Sequence, residues 1–117
     1  MAFRVELAPR ALADLDQAAD YIKEHGSLEQ AEKWFNSMFD AIASLQKMPT
    51  RCPVAEESEG LSQEVRLLLH GRRGRCYRVY YYIDHYNQTI RVFHVRHWAR
   101  ERLSAEELQE RRDEIRD

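Results

Sequence analysis

Tyr77-Arg78-Val79-Tyr80-Tyr81-Tyr82-Ile83-Asp84 and Thr89-Ile90-Arg91-Val92-Phe93-His94-Val95-Arg96-His97-Trp98 are two runs of aromatic and β-branched residues joined by a short polar stretch through Tyr86, Asn87 and Gln88. Such residues fill a pleated, half-buried surface, and the polar stretch between them is rich in turn formers, so the pair predicts a β-meander. Alternation along the first run places Tyr77, Val79, Tyr81 and Ile83 on one face, which reads as core, and Arg78, Tyr80 and Tyr82 on the other, which reads as an open surface. The second run is apolar on both parities, with Ile90 and Val92 on one and Phe93 and Val95 on the other. That is the pattern of a central strand covered on both faces.

Working outward, Val65 to Leu69 predicts a further strand, followed by the basic turn His70-Gly71-Arg72-Arg73-Gly74. Residues 49–64 carry two prolines, a glycine and four acids with little periodicity, and read as a surface loop. Nearer the start, Phe3, Val5 and Leu7 alternate with Arg4 and Glu6 as a short strand. Pro9 suits the first turn of a helix, and Leu12, Leu15, Ala19 and Ile22 follow at helical spacing, giving a helix over 9–25 before Gly26. Ser27 and Gln30 form a capping box for a second helix, whose stripe of Ala31, Trp34, Met38, Ile42 and Leu45 ends before Pro49. The brief connection forces an antiparallel helical hairpin, and its apolar stripes need a sheet to cover.

At the other end, Ser104 and Glu107 repeat the capping signal, and Leu103 and Leu108 have the spacing of a hydrophobic staple, so a helix is expected over 103–117. Beyond Leu108 its one large apolar residue is Ile115, so it is expected to be weakly anchored, mobile or docked against a partner. The order β-α-α-β-β-β-α predicts an α+β fold: one domain over 1–117, with an antiparallel sheet backed by the N-terminal hairpin.

The 117 residues are 44% apolar and 32% charged, a balance suited to one compact domain with its own core. With no basic-then-apolar leader and no apolar run of about 18 residues, a cytoplasmic protein with no membrane partner is expected. Cys52 and Cys76 lack the repeated short spacings of a disulfide framework or zinc site and read as reduced thiols. His94 and His97, three apart on a strand, face opposite sides, so no metal site and no cofactor is expected.

The net charge of −2 conceals a segregation. Between Val65 and Arg100 stand eight arginines against the single acid Asp84, a surplus of seven positive charges, so the remaining residues carry −9. All eight are arginine rather than lysine, and the planar guanidinium fork suits phosphate or carboxylate. Arg78, on the same face as Tyr80 and Tyr82, is placed to grip a phosphate while an aromatic ring stacks on a base. Cleaving RNA without a metal requires proton transfer and stabilisation of phosphorane charge, for which histidine and arginine suffice. The candidates for that chemistry are Arg78 and Arg100 for charge, and His97 or His70 for protons. Arg66, Arg72, Arg73, Arg75, Arg96 and Tyr80 are the substrate-contacting candidates.

The segments Pro49-Thr50-Arg51-Cys52-Pro53, Val65 to Gly71, Tyr77 to Ile83 and Ile90 to Arg100 resemble the RelE/ParE superfamily of bacterial type II toxins over about residues 3–102. The resemblance implies a growth-inhibiting toxin neutralised by an antitoxin, for which an acidic, amphipathic segment is expected. RelE-like members cleave messenger RNA on the ribosome without metal, whereas ParE-like members inhibit DNA gyrase and cleave nothing. Carried over from RelE-type members, two arginine positions fall on Arg78 and Arg100, and one basic residue of the preceding strand falls on Arg66. The position of the C-terminal catalytic tyrosine holds Glu106. Three readings follow: a ribosome-dependent endoribonuclease, a gyrase inhibitor, or an inactive toxin-fold binding module.

Overall fold

A computed structural model describes residues 3–58, 64–71, 76–97 and 105–113. The elements run β1 (Arg4–Leu7), α1 (Pro9–His25), α2 (Leu28–Ala43), two single 3₁₀ turns (Ser44–Gln46 and Glu56–Ser58), β2 (Arg66–His70), β3 (Tyr77–Asp84), β4 (Thr89–His97) and α3 (Ala105–Asp113). Pro9 opens α1, and the Ser27 hydroxyl caps α2 by accepting from Gln30 N–H at 3.1 Å. Only Gly26 and Ser27 separate the two helices, which fixes their antiparallel arrangement.

The strands assemble in the order β1-β4-β3-β2. β2, β3 and β4 form the expected antiparallel meander, but β1 adds to the far side of β4 in parallel, from Arg4 opposite Thr89 to Leu7 opposite Val92. The sheet is therefore mixed rather than wholly antiparallel. β4 is central, as its apolar character on both parities requires.

That character has a local cause. The β3–β4 register slips between Tyr80 and Tyr81, where Tyr80 pairs with His94 but Tyr81 pairs with Val92, leaving Phe93 as the extra residue of a bulge. The bulge inverts the parity of everything after it. Ile90, Val92 and Val95 thus all join the core beneath α1 and α2, with Leu15, Ile22, Trp34, Met38, Tyr77, Val79 and Tyr81, while Phe93 turns to the opposite face.

On that opposite face lies a second, smaller core of Tyr80, Tyr82, Phe93, Ala8, Ala55, Val65 and Leu108. The face read as open is closed, and α3 supplies part of the cover. Leu108 is fully buried, and the Arg112 guanidinium lies 6.0 Å from the Tyr82 ring centroid. Leu108 and Arg112 thus help to dock a helix that is otherwise almost wholly polar.

The β3–β4 turn is held by Asp84, which accepts from Asn87 Nδ2 at 2.8 Å, from Asn87 N–H at 3.0 Å and from Arg91 at 3.4 Å. These bonds, those from Asn87 foremost, hold the carboxyl below the ordinary carboxylate range. A lowered pKa contributes stability that is present above the unfolded value of about 3.9 and is lost as pH falls through the folded value. Asp84→Asn is therefore expected to melt below wild type near pH 7 and to converge with it at about pH 2. Parallel melting curves across that range would refute the assignment. Leu108→Ala is expected to cost about 3 kcal/mol in chemical denaturation and to hasten hydrogen exchange around Tyr80 and Tyr82. Unchanged exchange would show that α3 does not seal this face.

Candidate functional site

Strand register decides which candidate side chains meet. Along one row Leu69, Arg78 and Arg96 stand abreast on β2, β3 and β4, and along the next His70, Tyr77 and His97 do so. Successive residues of a strand point to opposite faces, so these rows face opposite ways. Tyr77 belongs to the helix-side core. His97 meets its ring edge-on at 5.0 Å, and His70 Nε2 lies 2.8 Å from Ser37 Oγ on α2. Arg78 and Arg96 share the α3-side face with Tyr80 and His94. The proposed proton-transfer histidines are thus on the side of the sheet away from Arg78, and the structure does not bring His70 or His97 together with it. Arg72, Arg73, Arg75 and Arg100 lie outside the described residues.

Two further candidates take other roles. Arg66 shares the Tyr81 side of the sheet, where its Nη1 donates to the carbonyls of Cys52 at 2.7 Å and Thr50 at 3.3 Å, and its Nη2 donates to Glu64 at 3.3 Å. It fastens the 49–52 loop to the sheet rather than presenting a free cation. The Tyr81 hydroxyl completes that fastening by donating to Pro49 O at 2.6 Å. Burial, reinforced by Cys52, pushes the Tyr81 phenol far above its ordinary range, against the opposing pull of Arg66 and Arg51, so it remains a neutral donor. Tyr80, expected to stack on a base, is 0% exposed.

Of the guanidinium candidates, Arg78 and Arg96 are brought together, directly opposite across β3 and β4. Arg78 is 4% exposed and Arg96 is half-buried, so the pair is not freely displayed to solvent. Beside it lies His94, 5% exposed, with its ring stacked near Tyr80 at 6.0 Å between centroids. His94 Nδ1 is 2.7 Å from Asp14 Oδ2 on α1, off the line of an aligned hydrogen bond, and the same carboxylate oxygen accepts from Val95 N–H at 2.9 Å. β1 pairs with β4 only as far as Val92, and Asp14 supplies an acceptor for the edge beyond.

The Asp14–His94 contact was not legible in the sequence, because the partners are 80 positions apart and nothing local marks them. The available signal was an acid beside Leu15 on the buried stripe of α1, where a carboxylate needs a partner. Among the described residues no three His, Cys, Asp or Glu side chains are grouped to hold a metal, and no helix is long and apolar enough to cross a membrane.

A short mixed sheet with a helical hairpin on one face and a C-terminal helix on the other is an arrangement this chain shares with solved chains of toxin–antitoxin proteins. The chain is similar to a chain of the chromosomal ParDE TA system from P. aeruginosa, with 18% identity, a TM-score of 0.65 and coverage of 82% of this chain and 96% of that one. It is similar to a chain of the toxin–antitoxin complex RelBE2 from Mycobacterium tuberculosis, with 20% identity, a TM-score of 0.54 and coverage of 83% and 99%. It is also similar to a double mutant of the E. coli toxin RelE in the free state, with 16% identity, a TM-score of 0.59 and coverage of 98% and 99%. No curated protein sequence matches it. Residues 5–102 match the family described as the ParE toxin of type II toxin–antitoxin systems, and the chain belongs to that family.

Replacing Asp14 tests its role at the β4 edge. Asp14→Ala is expected to destabilise the protein by about 1–3 kcal/mol by leaving Val95 N–H without its acceptor, and Asp14→Asn, which keeps one carbonyl oxygen, by less. Equal denaturation midpoints for all three proteins would remove that role.

Proposed function

We propose that this toxin acts in the ParE manner, by binding DNA gyrase and arresting it, and cleaves no bond itself. The observation that carries this reading is the burial of Arg78 and Tyr80 in the face that a nuclease would have to open to RNA. Two further features support it. His70 and His97 stand on the far side of the sheet from Arg78, and Glu106 occupies the place where RelE-type members carry their catalytic tyrosine. A binding toxin needs neither a proton-transfer group beside a guanidinium nor an accessible phosphate site.

The neutralising partner is proposed to be an acidic, amphipathic antitoxin segment. The surplus of seven positive charges between Val65 and Arg100 supports this choice, because opposite charge speeds and orients such an encounter. The structurally similar ParDE and RelBE2 proteins come from toxin–antitoxin systems.

One feature favours the runner-up, ribosome-dependent messenger RNA cleavage. Arg78, Arg96 and His94 share one face, which groups guanidinium and imidazole on the same side of the sheet. Two assays on the purified full chain separate the readings. Inhibition of gyrase supercoiling with no new RNA ends in a translating extract is expected. RNA cleavage that disappears in Arg78→Ala would overturn the proposal, and a chain inactive in both assays and harmless to growing cells would mark the inactive binding module.

A further inference from the structure

The turn that joins β3 to β4 is tied down at almost every residue. Asp84 holds Asn87 through both carboxylate oxygens, and Gln88 adopts the left-handed conformation with φ of 50° while its Nε2 donates to His85 O at 2.8 Å. Arg4 N–H donates to Gln88 O at 2.9 Å, and the His85 ring meets Phe3 edge-on at 6.2 Å. Tyr86 is the exception. It is 95% exposed and makes no hydrogen bond or ring contact among the described residues. A rigid turn thus presents a large aromatic side chain that contributes nothing to the fold.

Tyr86 does not stand alone. Phe3 N–H donates to Gln46 O at 3.0 Å, which brings the segment after α2, including Met48 at 63% exposure, to the same end of the sheet. The charges there are sorted. Glu6 and Asp84 are engaged by Arg91 at 2.9 and 3.4 Å. The Arg4 side chain, 67% exposed, lies 3.9 Å from Glu6, and Lys47 has no carboxylate within 4.0 Å among the described residues. Arg4, Lys47 and Arg91 outnumber Glu6 and Asp84 there, so this end offers exposed apolar side chains with a small cationic surplus, roughly 20 Å along the strands from the Arg78–Arg96 row.

We infer that the β3–β4 turn, with Tyr86 as its anchor, is the surface through which the toxin grips its target, and that the matching site is an apolar pocket with an acidic rim on a folded protein. Tyrosine is among the side chains that dominate binding energy, and one already fixed on a rigid turn loses little freedom when it inserts. A nucleic acid would stack on the same ring but would call for a longer run of cations to follow its phosphates. The inference rests on the reading above in taking the target to be a protein.

Tyr86→Ala, Tyr86→Phe and wild type are to be induced in cells at matched soluble levels, with melting temperatures measured on the purified proteins. Tyr86→Ala is expected to melt like wild type, since nothing packs on the ring, and to lose roughly tenfold or more of its growth inhibition, whereas Tyr86→Phe retains most of it. Full toxicity of Tyr86→Ala overturns the inference, as does a loss of toxicity that tracks a fall in melting temperature. Binding of the purified proteins to DNA gyrase and to a single-stranded RNA oligonucleotide supplies the second arm. RNA binding that Tyr86→Ala weakens also overturns the inference. A wild type that inhibits growth without binding gyrase overturns the function proposed above, and the growth comparison then still decides the role of the turn. A wild type that neither slows growth nor binds gyrase overturns both.

Discussion

Everything in this molecule depends on β4 being buried on both faces. A central strand must satisfy two neighbours and two cores at once, and a strictly alternating strand sends each parity to one side. The bulge at Phe93 resolves the conflict by moving one residue out of phase, so that Val92 and Val95 serve the same core and Phe93 serves the other. Beyond Val92, where the pairing with β1 ends, the Asp14 carboxylate reaches from α1 to accept Val95 N–H and approach His94. The helical hairpin, the bulge and the α3-side core are consequently mutually dependent.

Local periodicity carried most of the architecture. The stripe along α2, the capping Ser27 and the aromatic runs of β3 and β4 each encode their element within a window of a few residues, where propensity and burial agree. What escaped was set by contacts remote in sequence. No local pattern states that β1 will lie parallel to β4, and the strand pair spans 85 positions from Arg4 to Thr89. The openness assigned to the Arg78–Tyr80–Tyr82 face failed for a similar reason. Alternation correctly grouped the three residues, but whether their side is wet depends on what lands there, and the sole apolar signal from α3 was Leu108.

The candidate site shows the same division between face and environment. Arginine enrichment after Val65 was legible as charge, yet charge alone does not distinguish a guanidinium that meets a ligand from one that holds a loop. Arg66 does the latter through two backbone carbonyls. Histidines on a strand were legible as titratable groups, but the row that places His70 and His97 on either side of Tyr77 sets them against α2 and the hydrophobic core, away from Arg78. Fold membership and chemistry therefore separate cleanly here. The ParE family match defines the scaffold, while the burial of Arg78 and Tyr80 bears on what that scaffold can do.

The parallel pairing of β1 with β4 has a consequence for the newly made chain. The strand that opens the protein finds its sheet neighbour only after some 85 more residues have been translated. Until then the sticky faces of the first two helices have nothing to cover them, and drawing so long a segment closed costs roughly 4 kcal/mol of chain entropy. Completion of the sheet is thereby deferred until β4 has emerged from the ribosome. β1 is thus made before the other strands and cannot pair until the last of them exists.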